Sequence, residues 1–248
     1  LPADTDYVAT DTVEVKDEAG NKRLAIDDTT TIPVPTLQVR VYVRGAQMAD
    51  PELTSALQLF RRASNVLARL EDAVVFGGQQ AQNKGPQIAN HLPKIWEILG
   101  GKGSDGLVSG AGAKQELTAD DSNALVVGVS KAISTCEADG HFGPFALVLG
   151  QTLFTTAQTP NDDSLVLPQD RIIPFLEGGS LLRSSLIPDD QGVLVALGGT
   201  PVELVVATDM SLNFLQVTPD PMFVFRVFEK VVLRIKEPGA IVRLETKK

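Results

Sequence analysis

The chain has 248 residues, 43% of them hydrophobic, and carries 31 Asp and Glu against 22 Lys and Arg for a formal net charge of −9, which excludes a general basic footprint for nucleic acid. One cysteine, Cys136, excludes an intrachain disulfide or a cysteine-rich metal site and is consistent with a reducing cytoplasm, and two histidines, His91 and His141, are too few for most His-based metal centres. No apolar run reaches the roughly 18 to 20 residues of a membrane span, and no signal-peptide pattern is present.

Residues 11–26 predict a β-hairpin. Val13 and Val15 alternate with Glu14 and Lys16, residues 17–21 (DEAGN) supply turn chemistry, and Leu24 and Ile26 are apolar on the return. An isolated two-stranded hairpin is marginal in water, so this one leans on a neighbouring subunit or on its own domain; pattern alone leaves both open. Pro33 and Pro35 break the chain, and Leu37, Val39, Val41 and Val43 alternate as a strand. Asp50-Pro51 reads as an N-cap with proline at the first helical position. Helical spacing of Leu53, Leu57, Phe60, Ser64, Leu67, Leu70 and Val74, with Arg61, Arg62, Arg69 and Asp72 opposite, predicts one long amphipathic helix from Pro51 to Phe76, closed by Gly77-Gly78.

Residues 79–117 look irregular, with polar Gln79, Gln80, Gln82, Asn83 and Lys84, a short helix over Ile88–Leu99 that contains Trp96, and glycine-rich surface loops after it. A second helix is expected from Thr118 or Asp120 to Ala138, with Leu125, Val126, Val129, Ala132, Ile133 and Cys136 as its apolar stripe. Short mixed elements follow: a buried strand at 145–149, short helices at 152–156 and 169–176, and strands at 192–197 and 202–207 joined as a hairpin by Gly198-Gly199-Thr200-Pro201. Ser211–Val217 is a further strand. From Met222 to Glu245 the pattern alternates again, with Phe223, Phe225, Val227, Val231, Leu233 and Ile235 on one parity and Arg226, Lys230, Arg234 and Lys236 on the other. Strands usually run about 5 to 6 residues. One this long suits a sheet that extends sideways to meet copies of itself. The order of elements predicts an α+β fold in two lobes.

Candidate chemistry is sparse. Residues 101–106 (GKGSDG) match G-x-G-x-x-G, but no strand precedes them and no helix opens after them, as a dinucleotide site requires. Cys136 and His141 are close in sequence, yet Cys136 belongs to an apolar stripe and His141 to a glycine-rich turn, which favours a buried small residue over a nucleophile. The pairs Asp27-Asp28, Asp120-Asp121, Asp162-Asp163 and Asp189-Asp190 all sit at loops or helix starts, where carboxylates cap and shape turns. The basic line on the last strand, with Arg243, reads as a face paired with acids of its own chain or as a contact between subunits. No catalytic residue, metal or cofactor is expected.

Four segments in order, LEDAVVFGG at 70–78, DGHFGPFALVL at 139–149, DMSLNF at 209–214 and LRIKEPGAIVRL at 233–244, resemble the encapsulins, the linocin-like shell proteins with the Hong Kong 97-like fold of tailed-phage major capsid proteins. The resemblance covers residues 11–245. It implies an N-terminal arm at 1–11, an E-loop at 12–45, a peripheral domain with a spine helix and an insertion loop at 46–117, an axial domain at 118–215, and a peripheral return strand at 216–248. It further implies a cytoplasmic, icosahedral, non-enzymatic shell that holds ferritin-like or peroxidase cargo through a short targeting peptide, with iron storage as one use. Val13, Val15, Leu24 and Ile26 then become the E-loop residues that meet neighbouring copies of the chain. Glu177, Gly178, Gly179 and Ser180 line a five-fold pore, and Phe214, Asp220 and Phe225 contact cargo. The family's N-terminal helix, part of its cargo groove, is not among these residues, and 79–105 reads as an insertion of roughly 20 residues. The alternative is a major capsid protein of a tailed phage or prophage.

Overall fold

Alternating burial explains the first sheet. Strands β5 (Thr36–Arg44), β6 (Trp96–Leu99), β11 (Val202–Val217) and β12 (Met222–Ile235) pair antiparallel in the order β11-β12-β5-β6. The register sets Leu37 opposite Glu229, Val39 opposite Val227, Val41 opposite Phe225 and Val43 opposite Phe223. Period two therefore gathers one apolar face, and helix α2 (Thr54–Gly77) covers it with Ala56, Ala63, Val66, Leu67, Leu70, Ala73 and Val74. On the other face, β1 (Tyr7–Ala9) and β4 (Thr31–Pro33) pair, and Val8, Ile32 and the following Val34 pack against Ala207 and Val232. The computed structural model describes residues 1–18, 21–79, 93, 95–101, 103–118, 122–160 and 166–247.

The second sheet runs β7-β13-β10-β8-β9, built from β7 (Ala113–Leu117), β8 (Phe145–Leu149), β9 (Leu181–Arg183), β10 (Gln191–Ala196) and β13 (Ile241–Thr246). Helix α3 (Ser122–Ala138) lays Leu125, Val129, Ala132 and Cys136 on Leu147, Leu149, Leu194, Val242 and Leu244. Short helices α4 (Gln151–Gln158) and α5 (Pro168–Ile172) close that core with Leu153, Ala157 and Ile172. The reverse face carries Ile187, Val193, Val195 and Ile241, packed on Phe76, Leu107 and Val108. Phe76 belongs to both this core and the core under α2, so the end of the long helix joins the two sheets.

Strands β2 (Thr12–Glu18) and β3 (Asn21–Asp27) form the predicted hairpin. Several expectations change. Leu53 adopts a left-handed conformation (φ 50) and α2 starts at Thr54, with Asp50 accepting the backbone N–H groups of Glu52 and Thr54. A four-residue helix, α1 (Gly45–Met48), precedes it. Trp96–Leu99 is strand and not helix, because an alternating WEIL packs Trp96 and Ile98 under α2; the rest of the expected Ile88–Leu99 helix, and Gln80, Gln82, Asn83 and Lys84, lie outside the described residues except Pro93 and Ile95. The segment 198–201 is no hairpin: β10 is enclosed between β8 and β13, whereas β11 pairs with β12 in the other sheet. Strands 202–207 and 211–217 are one bulged strand.

The long terminal strand is interrupted. Pro238 cannot donate to a ladder, and the chain makes a 3-10 turn over Pro238–Ala240 before β13. β13 joins β7 and β10 in the second sheet, while β11 joins the first. Sheet membership therefore cuts across the sequence-based division at 118–215 and 216–248. Alternation reports which residues face inward; it does not report which strand lies alongside.

Candidate functional site

The hairpin presents an uncovered apolar row. Val13 lies opposite Ile26 and Val15 opposite Leu24, so the four side chains share one face. All are exposed, Leu24 most at 76%. Fully burying each would be worth roughly 1.5 to 3 kcal/mol. The hairpin is instead anchored at its base. Val13 donates its N–H to the Lys236 carbonyl at 3.0 Å. Arg234 is held by both Asp11 and Glu203, and Glu203 also holds Lys236. Asp27, at the end of β3, accepts hydrogen bonds from the Thr30 hydroxyl (2.5 Å) and from Thr29 (Oγ1 2.7 Å, N–H 3.0 Å), which hold its carboxyl far below the usual range.

The basic residues of β12, with Lys236 just after it and Arg243 on β13, are largely neutralised within the chain. Lys230 pairs with Asp6 at 2.9 Å, Arg234 and Lys236 pair as above, and Arg243 pairs with Glu245 at 2.7 Å. Arg226 stacks over the Phe228 ring at 4.2 Å.

The 177–180 loop follows a 3-10 turn, Ile173–Leu176, which buries Leu176 completely. Glu177 is exposed and left-handed (φ 51), and Gly178 follows at φ 88. Gly179 is required by packing: an added Cβ would stand 1.8 Å from the Phe145 carbonyl oxygen. Ser180 accepts the Leu147 N–H at 2.9 Å, tying the loop to β8. The Glu177 carboxylate lies back over the 140–143 turn, where a Cβ on Gly143 would meet Oε2 at 2.2 Å.

The aromatic candidates converge. Phe214 lies 5.5 Å from Phe225 and 6.5 Å from Phe223, and Phe225 lies 5.2 Å edge-on from Phe60 of α2. Phe214 is 53% exposed on β11, the outer strand of its sheet. Asp220 is exposed in the turn between β11 and β12, which the Thr218 N–H closes onto the Met222 carbonyl at 2.9 Å. Sequence reading missed Phe60 and Phe223 as members of this cluster. Phe60 was visible only as one more residue of a helical stripe, and Phe223 as one more residue of an alternating strand.

Nothing at Cys136 resembles a nucleophile. It is 0% exposed, and burial pushes its thiol up to about 11. His141 instead faces Glu237 at 3.8 Å. The 101–106 run does follow a strand, β6, contrary to expectation, but the next element is strand β7 and not the helix a dinucleotide site requires; its Lys102 lies outside the described residues. Asp120-Asp121, Asp162-Asp163 and His91 also lie outside them. Among the described residues, no three His, Cys, Asp or Glu side chains cluster as a metal site, and no helix is long and apolar enough to cross a membrane.

The family model described as encapsulating protein for peroxidase matches residues 94–232, more than half of the chain. The chain belongs to the encapsulin family. A type 1 encapsulin shell protein, EncA of Myxococcus xanthus (strain DK1622), is 32% identical over 117 residues, which cover 47% of this chain and 40% of that relative. A virus-like particle of Pyrococcus furiosus is similar in fold at TM-score 0.70 and 18% identity, covering 97% of this chain and 87% of that one. The capsid of Myoviridae phage XM1 is similar at TM-score 0.65 and 12% identity, covering 98% and 87%. The encapsulin chain therefore has the capsid-like fold its four motifs implied, and its exposed hairpin, pore-loop candidate and aromatic cluster all lie on that framework.

Proposed function

We propose that this encapsulin chain is a non-enzymatic building block that assembles with copies of itself into a closed icosahedral shell around a cargo enzyme. The observation that carries this reading is the hairpin: four exposed apolar side chains on one face of a hairpin tied to the body of the chain at its base. A neighbouring copy supplies the surface they need. Many weak contacts suffice, because closure of the shell multiplies them. Glu177 faces the five-fold channel in this reading, and a ring of such carboxylates draws cations inward. Phe214 and Phe225, with Asp220 beside them, receive the targeting peptide of a peroxidase or a ferritin-like protein. The family's description names peroxidase as the enclosed protein, which supports the first of these. The chain's acidity supports a content other than nucleic acid, and the fold shared with phage capsids is the ground for the second reading, a major capsid protein of a phage or prophage.

Sedimentation and negative-stain imaging of the wild type and of a Val15→Asp, Leu24→Asp double variant test the assembly. The wild type forms uniform closed particles and the variant stays as small soluble species with unchanged secondary structure. Particles from the double variant identical to wild type would remove the hairpin from the mechanism.

A further inference from the structure

The face of β12 beneath α2 is apolar except at one position. Phe223, Phe225, Val227 and Val231 line it, and between the last two stands Glu229, 4% exposed. Its Oε1 is buried without a hydrogen-bond partner. The cations of the same strand point to the opposite face, where Lys230 and Arg234 are paired with Asp6 and with Asp11 and Glu203. What faces Glu229 is acidic. Glu71 approaches from α2, beside Asp72, whose own charge is offset by Arg69. Asp209 approaches from β11, within the bulge between Thr208, opposite Lys230, and Ser211, opposite Phe228. From β5 the cross-strand partner is Leu37, which brings no charge.

We propose that Glu229, Glu71 and Asp209 form a proton-dependent joint between the long helix and the first sheet. With Glu229 protonated, a neutral side chain packs under α2. Ionised, it stands buried, unpaired and next to two like charges, and the last turns of α2 and the β11 bulge loosen to admit water. Phe76 at the end of α2 also packs into the second core, so the loosening reaches both sheets. Burial first, then the charges of Glu71 and Asp209, push the Glu229 carboxyl up to about 7. Burial, aided by Asp72, raises Glu71 as well. The folded state therefore holds the proton more tightly than the unfolded chain does. The stabilisation is complete below the ordinary carboxylate range and is lost as pH rises through neutrality.

Hydrogen exchange of the assembled wild-type protein, corrected for intrinsic rates, tests this over roughly pH 5.5 to 8.5. Peptides over 66–78 and 224–232 lose protection as pH rises, by up to about tenfold per pH unit below the midpoint, and level off above it. Glu229→Gln flattens the profile, and Glu71→Gln, which removes a like charge, moves the midpoint to lower pH. Protection independent of pH in the wild type, or a Glu229→Gln variant that keeps the wild-type profile, overturns the joint. If Glu229→Gln does not fold, an unshifted midpoint in Glu71→Gln overturns it equally.

Discussion

The backbone N–H of Val13 donates to the carbonyl of Lys236, 3.0 Å away, joining the first strand of the hairpin to the end of β12. This bond fixes the direction in which the hairpin leaves the body of the chain. The ion pairs of Asp11, Arg234, Glu203 and Lys236 reinforce it from the side chains.

That base should be acid-sensitive. Hydrogen bonds from Lys236 and Arg234 lower the Glu203 carboxyl. A lowered carboxylate contributes stability above its unfolded value of about 4.3 and loses it as pH falls through the folded value. Limited proteolysis across the hairpin should therefore stay slow at neutral pH and accelerate below roughly pH 4. Asp11→Asn, which leaves Arg234 held by Glu203 alone, should raise the cleavage rate already at neutral pH. An acid-independent cleavage rate would show that the ion pairs do not hold the hairpin.

Two adjacent glycines should differ sharply on substitution. Gly179→Ala places a Cβ 1.8 Å from the Phe145 carbonyl oxygen, so β8 or the loop must move. We expect a loss above about 3 kcal/mol or failure to fold. Gly178→Ala meets nothing but retains φ 88, at a cost of roughly 1 to 2 kcal/mol. Denaturant unfolding of the two variants measures the difference, and equal losses would contradict the packing argument.

Charge reversal at the 177–180 loop tests the proposed channel. Glu177 is exposed at the loop tip, so Glu177→Lys should leave assembly intact and slow iron uptake by a shell loaded with ferritin-like cargo. A several-fold slower initial rate is expected from replacing attraction by repulsion. An unchanged rate in intact particles would place the entry route elsewhere.

Cys136 should be inert. With no exposure and a thiol raised to about 11, it should resist alkylation in the folded protein and react on unfolding. Cys136→Ser should cost roughly 1 to 3 kcal/mol, because it buries a more polar hydroxyl where the thiol's acceptor, the Ala240 carbonyl, is 3.8 Å from the sulfur, without changing particle form. Rapid native-state alkylation would refute its burial.

Targeting-peptide binding should depend on the aromatic cluster. Phe214→Ala removes an exposed ring that contacts Phe223 and Phe225, and a loss of about 1 to 2 kcal/mol in peptide affinity is expected. Unaltered affinity by calorimetry would move the cargo site to another surface.

Local chemistry carried much of this protein in its sequence. The alternation of Val13, Val15, Leu24 and Ile26 revealed the hairpin, the stripe through Leu67, Leu70 and Val74 revealed α2, and the burial of Cys136 followed from its place on α3. These are short-range properties, set by side-chain direction along one helix or strand. The tertiary structure decided what pairs with what. It sent β10 and β11 to different sheets across Thr200, brought β13 beside β7, converted Trp96–Leu99 to strand against β5, and set Glu229 beneath α2 opposite Glu71 and Asp209. Pairing partners and buried charges depend on segments far apart in the chain, and a one-dimensional pattern contains the faces of its elements but not their neighbours.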